Sequence, residues 1–230
     1  MRLWTVIPAA GVGSRMGADR PKQYLELLGR TVLEHTVARF LDHPAIEGIY
    51  LALGQDDPWW PRLPLANDPR ITRVSGGRER CHSVQNALEA LLQGPGRPED
   101  RVLVHDAARP CLRREDLDRL IEEAGTDESG GILAVPVRDT MKRARGGDLI
   151  DHTVDRRDLW HALTPQLFPL GLLHQALDQA LADGFEVTDE ASAMEHAGYR
   201  PRLVRGHADN LKITLPEDLA LARFHLEQAR

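Results

Sequence analysis

The chain has 230 residues, 42% of them hydrophobic, and a formal net charge of −6, which suits one α/β domain with its own core and excludes broad electrostatic attachment to nucleic acid or an anionic membrane. The cysteines, Cys81 and Cys111, form no Cys-x-x-Cys pair, which argues against a zinc site or a disulfide framework and for a reducing cytoplasm. Met1-Arg2-Leu3-Trp4 passes straight into an apolar run without a signal-peptide core, and no segment is long enough to cross a bilayer, so a soluble, unexported protein is expected.

Short apolar runs rich in β-branched residues predict strands at 3–8, 46–53, 71–74, 101–105, 131–136 and 202–206. Between them, helical spacing marks core-facing stripes at Val32, Leu33, Thr36, Val37 and Phe40, at Val84, Ala87, Leu88 and Leu91, and at Leu117, Leu120, Ile121 and Ala124. Gln93 to Pro98 reads as a loop, and Thr214-Leu215-Pro216-Glu217 as a capping box that opens the last helix. The alternation predicts a single Rossmann-like domain over 1–230, a mostly parallel sheet flanked by helices.

Residues 138–157 break that rhythm. Gly146-Gly147 lies between two strand-like arms, a hairpin signal, and the arms carry too little apolar surface to stand alone in water. The hairpin either leans on a second subunit as a dimer arm or is a loose surface element.

The chemistry begins at Pro8-Ala9-Ala10-Gly11-Val12-Gly13-Ser14-Arg15-Met16-Gly17, followed by Pro21-Lys22-Gln23. Glycines at 11 and 13 let an anion approach backbone N–H groups, while Arg15 supplies a planar fork and Lys22 a mobile charge. Phosphate binding competes here with a plain tight turn. The string Gly-x-x-x-x-Gly-Lys-Ser/Thr does not occur, and the third glycine of the dinucleotide fingerprint is displaced by Met16, so neither a Walker loop nor a hydride-transfer site is indicated.

Three further clusters follow strands, where open α/β sheets carry their sites. Gly76-Gly77-Arg78-Glu79-Arg80-Cys81-His82-Ser83 offers backbone groups to a flat ring, with Ser83 either beside the ring or capping the next helix. In Val104-His105-Asp106-Ala107-Ala108-Arg109-Pro110, Asp106 is placed either to hold Mg²⁺ with phosphate oxygens or to pair with Arg109. Thr164-Pro165-Gln166, Thr188-Asp189-Glu190-Ala191-Ser192 and Asp209-Asn210-Leu211-Lys212 are each weak alone, Thr188 reading equally as a cap and Lys212 as a solvated charge.

In this order the strings resemble the 2-C-methyl-D-erythritol 4-phosphate cytidylyltransferase family, nearly end to end, although Arg78 stands where the family is often acidic. The resemblance implies transfer of a cytidylyl group from CTP to methylerythritol phosphate in the non-mevalonate route, with Mg²⁺ near Asp106. It implies charge stabilisation by Arg15, Lys22 and Lys212, and CTP held by Ala9, Ala10, Gly11, Gly13, Gly77 and Ser83. The acceptor is expected at Asp106, Arg109, Thr164, Thr188 and Lys212, with Thr140 and Arg156 reaching over from the partner of a homodimer. The alternatives are a cytidylyltransferase for another polyol phosphate such as ribitol 5-phosphate, and a nucleotide-binding regulator without turnover. Asp209 is left open as a second metal ligand.

Overall fold

The computed structural model of the chain describes residues 2–11 and 20–228. Strand β1 (Leu3–Pro8) enters the glycine-rich segment, and a single 3₁₀ turn at Lys22–Tyr24 leads through the short strands β2 (Glu26–Leu27) and β3 (Arg30–Thr31) into α1 (Val32–Leu41). There follow β4 (Ile46–Leu53), two 3₁₀ turns, β5 (Ile71–Ser75), α2 (Arg80–Gln93), β6 (Arg101–Val104), α3 (Arg114–Ala124) and β7 (Gly131–Pro136). The arm strands are β8 (Met141–Ala144) and β9 (Ile150–Val154), and β10 (Trp160–Pro169), α4 (Leu170–Ala182), α5 (Glu190–His196), β11 (Arg202–Arg205) and α6 (Pro216–Gln228) complete the order.

Side-chain alternation along the central strands sorts the core onto two faces. Ile7 and Leu103 pack with Leu33, Val37 and Phe40 of α1 and with Leu117 and Leu120 of α3. Their neighbours Val6, Val102 and Val104 point the other way, against Val84, Leu88 and Leu91 of α2 and Leu173 and Leu177 of α4. The predicted helical stripes are therefore the core faces. Helix α1 is secured by a capping box, in which Thr31 accepts from the Glu34 N–H and the Glu34 carboxylate accepts from the Thr31 N–H.

The described residues form a seven-stranded sheet in the order β11-β7-β10-β6-β1-β4-β5. Strands β4 and β6 lie parallel on either side of β1, because the chain runs outward through β4 and β5 and then crosses back to β6. That reversal opens a crevice at the carboxyl ends of β1 and β6.

Three expectations need correction. Strand β10 was not anticipated; it runs antiparallel between β6 and β7 and makes the sheet mixed. Its pairing with β7 shifts register between Ala162 and Gln166, around a cis Thr164-Pro165 bond, and this irregularity brings Thr164 and Gln166 to the crevice. Helices α4 and α5 were also not placed, and Asp218 rather than Glu217 binds the Thr214 and Leu215 N–H groups at the start of α6.

The Gly-Gly turn does form. Gly146 and Gly147 have φ of 56° and 81°, which L side chains rarely adopt, and β8 pairs antiparallel with β9 as a separate ribbon. Leu149 and Ile150 at its tip are 75% and 65% exposed.

Candidate active site

The crevice holds a cavity of about 340 Å³ lined by Ala9, Ala10 and Gly11 after β1, Lys22 and Gln23, Gly77 to Arg80, Ser83, and Asp106 to Ala108 after β6, with Lys212 opposite. A Cβ on Gly11 would meet no described atom within 4 Å, so its missing side chain leaves room for an approaching ligand. At Gly76 the reason differs: a Cβ there would lie 2.2 Å from the Ala10 Cβ, so the bare backbone is what lets the two loops touch. Gln23 joins the walls, donating through Nε2 to the Ala9 carbonyl at 2.8 Å and the Gly11 carbonyl at 3.1 Å.

These contacts refine the expected base-reading groups. The Ala9 N–H is bound to Ala52 O at 2.8 Å and its carbonyl receives Gln23 with one lone pair to spare, so Ala9 can offer the cavity an acceptor and no donor. Ser83 is not a cap: it lies within α2, donates to the Glu79 carbonyl at 3.1 Å and accepts from the Gly77 N–H at 3.0 Å. One hydroxyl lone pair remains to face the cavity. Gly13 and Arg15 lie outside the described residues.

A second cavity of about 210 Å³ adjoins the first, lined by Arg109, Leu163, Thr164, Gln166, Thr188 and Asp189, and it shares Arg80, Asp106 and Lys212 with its neighbour. Asp106 and Arg109 are therefore paired, as one reading allowed, and they are not alone. Asp106 Oδ1 accepts from Arg80 Nε at 3.0 Å, while Oδ2 faces Arg109 Nε at 3.2 Å and Lys212 Nζ at 3.1 Å. Lys212 is thus no solvated surface charge. Lys22 reaches the same region, its Nζ donating to the Ile213 carbonyl at 2.8 Å.

Electrostatics follow from this crowding. Burial works against the Asp106 charge, but Arg80, Lys212 and Arg109 outweigh it and hold the carboxyl well below its usual range. Burial likewise opposes the charge on Arg80, yet Glu190 and Asp106 raise its pKa further. Arg109 is lowered by its burial, partly offset by Asp106. Among the described residues, five cations, Lys22, Arg78, Arg80, Arg109 and Lys212, stand against four carboxylates, Glu79, Asp106, Asp189 and Glu190, a surplus of one positive charge that favours a polyphosphate.

Arg80 and Glu190 were not singled out from the sequence. The Arg80 guanidinium grips the fully buried Glu190 through both terminal nitrogens, at 2.7 and 2.9 Å. No local pattern announces a pair 110 residues apart. Gln166 is a similar latch: its amide nitrogen donates to Asp189 at 2.8 Å and its oxygen accepts from the Ala191 N–H at 2.9 Å. Asp189, not Thr188, caps α5, which leaves exposed Thr188 on the rim of the second cavity.

Two expectations fall outside these walls. Asp209 is bound to Arg113 Nε at 2.7 Å and lines a different cavity, so it is not placed beside Asp106. Thr140 and Arg156 line neither cavity of their own chain; Arg156 instead donates to the Arg138 carbonyl.

The donor set suits Mg²⁺ in one way. Oδ1 of Asp106 accepts from Arg80 alone among the described residues and keeps a lone-pair site, enough for one carboxylate ligand to an ion otherwise held by phosphate oxygens.

A cationic double cavity at the switch point of a mostly parallel sheet, joined across one carboxylate, is the arrangement of a nucleotidyltransferase. The family profile described as 2-C-methyl-D-erythritol 4-phosphate cytidylyltransferase (IspD) matches residues 3–228. The chain is 59% identical over 216 residues to the enzyme of that name from Pseudomonas aeruginosa PAO1, covering 94% of this chain and 92% of the relative. With the Vibrio vulnificus YJ016 enzyme it shares 57% over 228 residues, covering 99% and 96%. A crystal structure titled 4-diphosphocytidyl-2C-methyl-D-erythritol synthase superposes with a TM-score of 0.86 at 45% identity, covering 98% of this chain and 100% of that one. The chain belongs to the 2-C-methyl-D-erythritol 4-phosphate cytidylyltransferase family.

Proposed function

We propose that the chain transfers the cytidylyl group of CTP to 2-C-methyl-D-erythritol 4-phosphate, giving 4-diphosphocytidyl-2-C-methyl-D-erythritol and pyrophosphate in the non-mevalonate route to isoprenoid precursors. The observation that carries this reading, beside family membership, is the pair of cavities meeting at Arg80, Asp106 and Lys212. The larger accepts the nucleotide and the smaller the polyol phosphate, so both phosphates reach one cationic wall.

The acceptor is a phosphate monoester with a second pKa of about 6, already largely dianionic at neutral pH. No general base is needed. One of its oxygens bonds to the α-phosphorus as the bond to the β-phosphate breaks and pyrophosphate leaves. Two anions must be brought together, so the protein's task is to neutralise charge that grows at the α-phosphoryl group. Lys212 in the shared wall and Lys22 in the larger cavity serve this, and Arg109 meets the acceptor phosphate. Arg15 completes the set by resemblance.

Asp106 would hold Mg²⁺ together with the phosphates, and the metal would supply charge neutralisation on the triphosphate. Ser83 and the backbone of Ala9, Ala10 and Gly77 face the base, whose amino edge pairs with acceptors in a pocket too small for a purine. The arm is read as the dimer contact, carrying Thr140 and Arg156 into the partner's acceptor cavity. The cytoplasm is the compartment this reading implies; Cys81 and Cys111 are free thiols, and no helix among the described residues is long and apolar enough to cross a membrane.

Nucleotide discrimination tests the reading. With methylerythritol phosphate present, pyrophosphate should be released from CTP far faster than from ATP, GTP or UTP; equal release from a purine nucleotide would contradict the assignment of the larger cavity.

A further inference from the structure

Behind the cavity walls four residues close a hydrogen-bond circuit. His105 is fully buried, and its Nε2 lies 3.0 Å from the Arg109 carbonyl oxygen. A carbonyl only accepts, so Nε2 carries the hydrogen and Nδ1 is bare. Thr164 Oγ1, 3.0 Å from Nδ1, therefore donates its hydroxyl hydrogen to the ring and has lone pairs for the Asp106 N–H at 3.1 Å. The circuit continues through the Thr164 carbonyl, which accepts from Asn210 Nδ2 at 2.7 Å, and the Asn210 carbonyl, which accepts from Arg109 Nη1 at 2.7 Å.

The orientation of every bond is settled by its donors and acceptors, and together the links tie three segments that bear site residues. His105 to Arg109 follows β6, Thr164 lies at the register shift of β10, and Asn210 precedes Lys212. Moving one member shifts the others.

We propose that His105 is a positioning residue for the acceptor phosphate: its ring, protonated at Nε2 alone, fixes the Thr164 hydroxyl and, through it, the placement of Asp106 and Arg109. The inference rests on reading the smaller cavity as the acceptor side. His105 lines neither cavity, so any effect it has on acceptor use is transmitted. It also revises Thr164, whose hydroxyl is committed inward before an acceptor arrives.

Two variants separate positioning from mere filling of space. His105→Phe keeps the ring volume and the packing on Phe40, now 5.0 Å between ring centres, but removes both bonds. His105→Asn loses volume and keeps an acceptor where Nδ1 stood. Positioning predicts that His105→Phe raises the acceptor KM by roughly 10- to 10²-fold, the scale of a small misplacement of reacting groups, with little change in CTP affinity. His105→Asn should recover much of that loss; the reverse order would overturn the proposal. Should His105→Phe fail to fold, the Asn variant still decides by its acceptor KM, near wild type if the proposal holds and strongly raised if it does not. Nitrogen-15 spectra of the wild-type protein at pH 7 give an independent reading: His105 should be protonated at Nε2 and bare at Nδ1, and the opposite tautomer would defeat the circuit. Absence of transfer by the wild-type protein would defeat the functional reading and this inference together, whereas normal transfer with the variants in reverse order would defeat the inference alone.

Discussion

Asp106 gathers three cations of the site on one side chain. Its two oxygens meet Arg80, Arg109 and Lys212, so the cations are held close together before any phosphate is present. Preorganised charge of this kind acts without reorganisation during reaction. Lys22 joins them in the larger cavity, anchored on the Ile213 carbonyl next to Lys212 in sequence. Substituting Lys22→Ala should lower turnover by a factor on the order of 10²–10³, the size of one lost transition-state contact; steady-state kinetics at saturating CTP and acceptor would show it, and near-wild-type turnover would remove Lys22 from the mechanism. Lys22 was legible from the glycine-rich loop and Asp106 from its place after a strand, while Arg109 and Lys212 entered the expected site through the family resemblance. Arg80, Glu190 and Gln166 were not legible, because their meaning lies in partners far along the chain.

At the scale of elements, continuous apolar runs such as Val102 to Val104 identified the buried strands, and alternation of faces explains why. Strand β10 was hidden because Pro165 interrupts its run and proline ordinarily demotes a strand. The proline sits where the pairing with β7 shifts register, which is how the strand tolerates it. Helix α4, by contrast, carries a helical stripe at Leu170, Leu173, Ala176, Leu177 and Ala180 that the sequence does show. The arm was legible as a hairpin, though its service to another subunit is an inference from exposure: Leu149 and Ile150 project apolar surface from a ribbon that would be marginal alone. If the arm completes the partner's site, Arg156→Ala should weaken acceptor use while leaving CTP binding nearly intact. Mixed dimers of Arg156→Ala and Lys22→Ala subunits should then regain part of the lost activity, measured as transfer after mixing the two impaired variants; no complementation would mean that each chain builds its site unaided.

Across the whole molecule, the buried polar circuit makes stability depend on pH. Burial pulls His105 down to about 4, against about 6.5 for an unperturbed histidine. Burial likewise lowers His35. A histidine that is harder to protonate when folded leaves the unfolded chain binding more protons in this interval, so stability is fully present above about pH 6.5 and falls as the pH drops towards 4. For His105 the difference corresponds to about 3 kcal/mol. Asp106, also depressed, withdraws its contribution only below the ordinary carboxylate range. The urea midpoint should therefore fall between pH 7 and pH 4.5; a level profile would mean that His105 charges freely in the native state.

The smaller cavity, which we propose takes the acceptor, is a chamber bounded by Arg109, Thr164 and Thr188 and shared with its neighbour at Arg80, Asp106 and Lys212. The larger cavity would serve any cytidylyltransferase of this architecture, so the acceptor is where the assignment is most exposed. Its most direct test is pyrophosphate release from CTP and Mg²⁺ by the purified protein, compared between 2-C-methyl-D-erythritol 4-phosphate and ribitol 5-phosphate. A clear preference in kcat/KM for the methylerythritol ester is predicted; preference for ribitol 5-phosphate, or no release with either, would contradict the account.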